Sequence, residues 1–356
     1  MNQKVSIVFE KRESLSRQAS LLVPVLSFGV SLTLGAILLL LSGANPLATY
    51  AAMARGAFGS WRNITETLVK AAPLMLTGLG VSIAFRMRFW NIGAEGQLVM
   101  GGVAAAWVGL FWSQALPEWT LLPLALLLGV LAGALWAGVP ATLKAALKVD
   151  ETLTTLMLNY VAILYYQYLF NGPWRDPHGY GFPGTAQFPA AAWLPRLSGR
   201  LHVGLIFALL LAGVLWFIFK YTRWGFELKI IGENQTAARY LGIKIGRNIV
   251  LALLLSGALS GLAGAGEVLG ISHRLQQGLS LGYGYTAIIV AWMAQLNPLA
   301  VVFVAVLMAA LLVGGDQVQI MMGLPSSVGV VLQGMILIPM LAGSLFTEYR
   351  IRVVRK

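Results

Sequence analysis

Long apolar runs separated by short polar breaks dominate the chain. Several runs approach the ~20 residues that a helix needs to cross a bilayer. Ten segments are predicted, at about 21–41, 69–85, 92–112, 121–143, 152–170, 202–219, 249–271, 286–296, 298–315 and 325–346. The eighth is too short to cross alone as a helix. It follows Gly278, Gly282 and Gly284, so it reads as a half-helix preceded by extended chain. The third begins inside a polar, glycine-broken patch, Phe85-Arg-Met-Arg-Phe-Trp-Asn-Ile-Gly-Ala-Glu-Gly-Gln97. Asn91, Glu95 and Gln97 cannot face lipid cheaply, since a charge near the bilayer centre costs roughly 2.5–3.5 kcal/mol even on the lenient insertion scale. Irregular backbone at membrane depth is tolerated only where it is buried in protein or lines a wet cavity. The patch therefore reads as a polar path through the membrane. A cytoplasmic loop with a carboxylate beside Arg86 and Arg88 is the alternative.

Composition agrees with a polytopic all-α membrane protein. Of 356 residues, 58% are hydrophobic and 11% charged, against roughly 25% charged in a soluble domain. No stretch reads as a separate soluble domain. Cysteine is absent, which excludes disulfides and thiol catalysis. The net charge of +12 belongs with cytoplasmic loops, and no nucleic-acid partner is expected. A charged N-terminal segment over 1–20 precedes the first run, and no small-residue cleavage site follows it, so this run is expected to stay as a helix.

With both termini on the cytoplasmic side, seven basic residues (Arg55, Arg62, Lys70, Arg175, Arg196, Arg200, Arg274) fall on outer segments and the other 18 of 25 on inner ones. That bias obeys the positive-inside rule and requires an even number of crossings. The membrane-spanning part is 21–346, with a basic tail over 347–356. Residues 171–201, rich in Gly, Pro, Trp and Tyr, form an outer loop, either a folded lid or a plain connector. Residues 220–248 form the longest inner loop, in which Gly232 through Gly242 is predicted to be a short amphipathic helix with a glycine stop.

Other residues carry weaker signals. Asn91-Ile-Gly-Ala-Glu-Gly-Gln97 in the first half and Gly282-Tyr-Gly-Tyr-Thr286 in the second both precede apolar runs, an internal echo that points to a site between pseudo-repeats. Asn159 lies about two turns into the fifth segment and is a cavity candidate. Glu267 either faces the cavity or reaches the interface. Tyr283 and Tyr285, with Trp90, flank the broken segments and either stack on a solute or anchor at the interface. Asp150 and Glu151 suit a helix N-terminus. Ser256, Ser260 and Gly264, with Gly257 and Gly261, form a small-residue stripe that favours close helix packing. The three His have no metal-ligand spacing, so no metal site is expected, and no nucleophile–base pair supports catalysis.

Asn91-Ile-Gly-Ala-Glu-Gly-Gln97, Asp150-Glu151-Thr152, Thr155-Leu-Met-Leu-Asn159, Gly232 through Gly242, and Ser256-Gly257-Ala-Leu-Ser-Gly261-Leu-Ala-Gly264 together resemble the permease subunits of ABC importers. The branch is that of the ribose and branched-chain amino acid permeases, nearest the nucleoside and simple-sugar members. The resemblance implies a multi-pass protein of the bacterial inner membrane with about ten helices, working beside a second permease, itself or a paralogue. It also implies two cytoplasmic ATP-binding subunits and an external solute-binding protein. The solute implied is a nucleoside, or else a simple sugar such as ribose. The substrate pathway would draw on Asn91, Glu95, Gln97, Asn159, Glu267, Tyr283 and Tyr285. Coupling to the ATPase would draw on Gly232, Glu233, Ala237, Ala238, Arg239 and Gly242. Thr236-Ala-Ala-Arg-Tyr-Leu-Gly242 is similar to the Glu-Ala-Ala-x-x-x-Gly pattern of coupling loops, with Thr236 in place of Glu and the downstream Leu-Pro missing. An ion-coupled secondary transporter would also explain broken helices and an intramembrane Glu95.

No Gly-x-x-x-x-Gly-Lys-Ser/Thr occurs, so the chain has no phosphate-cradling loop and needs no cofactor of its own. The purified chain is expected to hydrolyse no ATP. Phosphate release measured on the isolated subunit checks this, and sustained turnover at high purity would overturn it.

Overall fold

The computed structural model describes residues 5–11, 17–179 and 181–355. In chain order the helices are α1 (Arg17–Leu41), α2 (Pro46–Phe58), α3 (Trp61–Arg86), α4 (Ala94–Phe111), α5 (Glu118–Leu147), α6 (Glu151–Asn171) and α7 (Gly204–Tyr221). They continue with α8 (Arg223–Glu233), α9 (Gln235–Tyr240), α10 (Ile245–Glu267), α11 (Tyr283–Met293), α12 (Pro298–Met322) and α13 (Ser327–Glu348). The strands are β1 (Val5–Lys11), β2 (Arg196–Ser198), β3 (Leu201–His202) and β4 (Tyr349–Arg355). Each of the ten sequence segments falls on a helix. Among the described residues, six helices are long and apolar enough to cross a membrane, or seven if the α1–α2 pair, bent by 115°, is one span. As expected, α11 is only 11 residues long.

Two features differ from the sequence reading. The sequence reading places no segment between 41 and 69, yet α2 forms there, started by Pro46 and by the Asn45 side chain, which accepts from the Ala48 N–H. Its short, mixed-polarity sequence hid it from a search for long apolar runs. The all-α expectation also misses two small antiparallel strand pairs. β1 pairs with β4, from Val5↔Arg355 to Lys11↔Tyr349, where only charged tails were expected. Lys4, Arg12 and Lys356, counted among the inner basic residues, lie outside the described residues.

The chain divides into two compact units, Met1–Gly59 with Ala310–Lys356, and Ser60–Ala309. In the first, Ala52, Met53, Val318 and Leu332 form a buried cluster, and the Tyr50 hydroxyl donates to the Leu32 carbonyl at 2.7 Å. In the second, α10 packs against α3, α4 and α5. The small-residue stripe makes this possible. A β-carbon at Gly257 or Gly261 would run into the Gly133 or Gly129 carbonyl of α5, and one at Gly264 into the Leu98 carbonyl of α4. Close backbone approach of this kind maximises van der Waals contact between helices, which is the main attraction available where lipid is as apolar as the side chains.

Gly261→Leu forces overpacking, which costs typically 1–3 kcal/mol and sometimes more. It is expected to lower the melting temperature in detergent well below that of Gly213→Leu, because Gly213 on α7 has open space around it. Equal melting temperatures for the two variants would remove the stripe from the packing account.

Candidate functional site

After Arg86 the chain leaves α3 through an irregular segment, with Arg88 at φ +56°, and enters α4 at Ala94. Its peptide groups lack helical partners and must find others. Side chains supply them. Asn159 on α6 accepts from the Gly96 N–H at 2.8 Å and donates to the Ile92 carbonyl at 2.9 Å. Thr155 accepts from the Ile92 N–H at 3.2 Å. Asn91 accepts from the Gly93 N–H at 3.0 Å and from the Gln97 amide at 3.1 Å, and donates to the Ser256 hydroxyl at 3.0 Å. Asn91, Glu95, Gln97, Thr155, Asn159 and Ser256 are all buried. Because Ser256 lies halfway along α10, Asn91 sits deep in the helix bundle, away from the helix ends.

Glu95 closes this network. Its Oε1 accepts from the Ser280 hydroxyl at 2.7 Å and the Gly282 N–H at 2.9 Å, and its Oε2 accepts from the Gly284 N–H at 2.6 Å. Gly282 and Gly284 bracket the first residue of α11, so a carboxylate occupies the positive end of that helix and satisfies amides the helix leaves orphaned. Gly284 packs directly on the Ala94–Glu95 backbone, with no room for a β-carbon. The two halves of the sequence echo thus meet N-terminus to N-terminus. Gly282 supplies the entry at φ +82°.

The structure brings together Asn91, Glu95, Gln97, Asn159 and Tyr285, whose hydroxyl is 3.3 Å from the Asn159 amide. Tyr283 is buried at the start of α11 and lines a separate cavity that Glu267 also lines, so Glu267 stands apart from the network. Trp90 stacks on Trp292 at 5.7 Å and packs against Phe85. Sequence reasoning assigned Ser256 chiefly to packing and gave no role to Ser280. A lone serine in an extended segment carries no local signal, and only the fold brings it to Glu95. Asp150 caps α6 as expected, accepting from the Leu153 N–H at 2.8 Å.

The inner loop is built differently from the single helix expected over 232–242. Asn234 breaks it, ending α8 and capping α9 by accepting from the Thr236 and Ala237 N–H groups. Gly232 and Glu233 therefore end α8. Gly232 is buried against the Arg86 carbonyl, and Ala238 is fully buried, so neither faces a partner. Ala237 is half-buried, while Glu233, Arg239, Tyr240, Leu241 and Gly242 are exposed, Tyr240 at 89%. Gly242, at φ +72°, makes the sharp reversal that a glycine allows.

At the other end of the bundle the 171–201 loop is folded. Thr185, Phe188 and Leu194 donate backbone N–H groups to Leu275, His273 and Leu269. Trp193 stacks on His273 at 4.0 Å, and Arg196 lies 3.1 Å from its Nε2. His202 is buried, and its Nδ1 accepts from the Gly204 N–H at 3.1 Å. Among the described residues no group of His, Asp and Glu has the arrangement of a metal site.

Residues 63–341 match the family model described as the branched-chain amino acid transport system / permease component. The guanosine ABC transporter permease protein NupP of Bacillus subtilis is 37% identical over 88% of this chain and 91% of its own length. The glucose ABC transporter permease protein TsgB13 of Haloferax volcanii is 33% identical over 98% and 94%. The nucleoside ABC transporter permease protein NupB of Lactococcus lactis is 30% identical over 84% and 85%. With a polar core held between two broken helices and a family match over most of its length, the chain belongs to the branched-chain amino acid transport system / permease component family of ABC transporter permeases.

Proposed function

We propose that this chain is the membrane-spanning subunit of an ATP-driven importer of nucleosides in the bacterial inner membrane. A second permease, cytoplasmic ATP-binding subunits and an external solute-binding protein complete the machine. The observation that carries the reading is the Glu95 cap on α11, which joins two interrupted helices deep in the bundle. Such paired breaks are where transporters place their solute path, and rigid movement of one half against the other opens it to either side. The β1–β4 pairing supports both termini lying on one side of the membrane, because paired strands cannot be separated by a bilayer. The guanosine and nucleoside relatives support the solute class. The glucose relative, which aligns over nearly the whole chain, supports a simple sugar as the second reading.

The exposed part of the inner loop, Arg239 to Gly242, gives the ATPase a docking surface with Tyr240 and Leu241 as apolar anchors.

Uptake of labelled nucleosides, ribose and glucose, measured in parallel in proteoliposomes carrying the assembled complex, tests the solute. In the same assay Glu95→Gln is expected to cut uptake at least tenfold, since each lost hydrogen bond to a charged group is worth about 1.5–3 kcal/mol. Asn91→Ala is expected to act in the same direction, with membrane insertion and ATPase association retained. Normal uptake by both would exclude the network from transport.

Tyr240→Asp together with Leu241→Asp is expected to weaken ATPase binding or to uncouple hydrolysis from uptake. Both rates are read on one preparation. Wild-type values for hydrolysis and uptake would show that this loop is not the coupling element.

A further inference from the structure

A cleft of about 390 Å³ opens between the start of α8, just past the end of α7, and the start of α10. Its wall includes Arg223, Trp224, Glu227, Lys244, Arg247 and Leu251. Both α7 and α10 are long and apolar enough to span a bilayer, so the cleft lies at the membrane boundary. Aromatic residues mark the same level. Lys220 lies over the rings of Trp216 and Tyr221 in the last turns of α7, at 4.9 and 5.1 Å. Trp and Tyr at a helix end anchor it among lipid headgroups.

One side of the cleft is a fixed chain of polar contacts. Arg223 pairs with the Oε1 of Glu227 at 3.0 Å. The Oε2 of Glu227 accepts from the Asn248 amide at 3.1 Å, and the Asn248 carbonyl oxygen accepts from the Trp224 indole N–H at 2.9 Å. Arg223 thus balances the charge of Glu227. Lys244 and Arg247 are exposed, and neither pairs with an acid among the described residues. Their two positive charges remain for a ligand.

The face of α10 that carries these charges then turns apolar. Leu251 follows Arg247 by four residues, so the two share a face, and Leu251 is 42% exposed. A water-soluble anion would use the charges and leave this leucine uncovered. A phospholipid uses both, with its phosphate against Lys244 and Arg247 and an acyl chain along Leu251. A zwitterionic headgroup also carries an ammonium that these cations repel, so the lining selects an anionic one.

We propose that this cleft binds an anionic phospholipid, whose phosphate pairs with Lys244 and Arg247. Gly242 borders the same cleft, so the lipid rests beside the reversal that presents Tyr240 and Leu241. The full-length chain, purified in nonionic detergent without other subunits, is titrated with phosphatidylglycerol or phosphatidylcholine. Bound lipid is counted by native mass spectrometry. Wild type is expected to prefer phosphatidylglycerol. Lys244→Gln with Arg247→Gln is expected to lower that affinity by about tenfold or more, since each basic residue near an anionic lipid is worth roughly fivefold. Lys148→Gln with Lys229→Gln removes the same charge from exposed positions outside the cleft and is expected to leave the affinity unchanged. Lys244→Arg with Arg247→Lys keeps the charge and is expected to keep the lipid. Melting temperatures report that each variant is folded.

Equal affinity of wild type for the two lipids, or an equal loss in the charge-matched control, would overturn the site. Displacement of phosphatidylglycerol by inorganic phosphate would overturn it in favour of a free anion. A Lys244→Gln, Arg247→Gln chain that keeps its lipid but no longer co-purifies with the ATP-binding subunits would overturn it in favour of a protein-docking surface.

Discussion

The buried Glu95 carboxylate at the N-terminus of α11 is the contact on which the interior depends. A charge in a low-dielectric core is tolerable only when donors surround it. Here the donors are the Ser280 hydroxyl and the backbone amides of Gly282 and Gly284, so the charge and the helix end satisfy one another. Neither would be stable alone at that depth. An 11-residue helix cannot span a bilayer, and its free amides would be orphaned in an apolar medium.

The same logic extends outward from that contact. The segment between α3 and α4 has no helical partners for its peptide groups, so Asn91, Thr155 and Asn159 stand in for them. Thr155 and Asn159 reach the segment because α6 packs on α4 at Gly96, and Asn91 finds Ser256 because α10 lies close to α4 and α5, where its glycines allow backbone to meet backbone. Polar satisfaction and small-residue packing are therefore one arrangement. A bulky residue on the stripe would push α10 away and separate Ser256 from Asn91.

The two ends of the bundle are built differently. At one end a folded loop is tied by backbone hydrogen bonds and by the stacking of Trp193 on His273, over a cavity rich in charge. At the other, two short helices leave Tyr240 and Leu241 exposed beyond a glycine reversal. A transporter that receives solute on one side and mechanical work on the other needs such an asymmetry.

Much of this was legible in the chain itself. Hydrophobic run length gave the helices of the bundle, glycine spacing gave the half-helix at 283–293, and the polar patch gave Asn91, Glu95 and Gln97, because each of these signals is local. The expense of burying a polar group marked the residues that had to be explained. What the chain could not declare was the partner of each group. Ser280, Ser256 and the Gly284 amide lie more than 150 residues from the groups they bond, and no periodicity encodes such a pairing. The direction a side chain faces was equally hidden. Ala238 reads as one apolar residue of an amphipathic helix, and only the packing of α9 turns it inward and leaves Tyr240 and Leu241 outside. Sequence determined which residues would be costly in a membrane, and the tertiary structure decided what relieves the cost, because that relief is a matter of distance between segments remote in the chain.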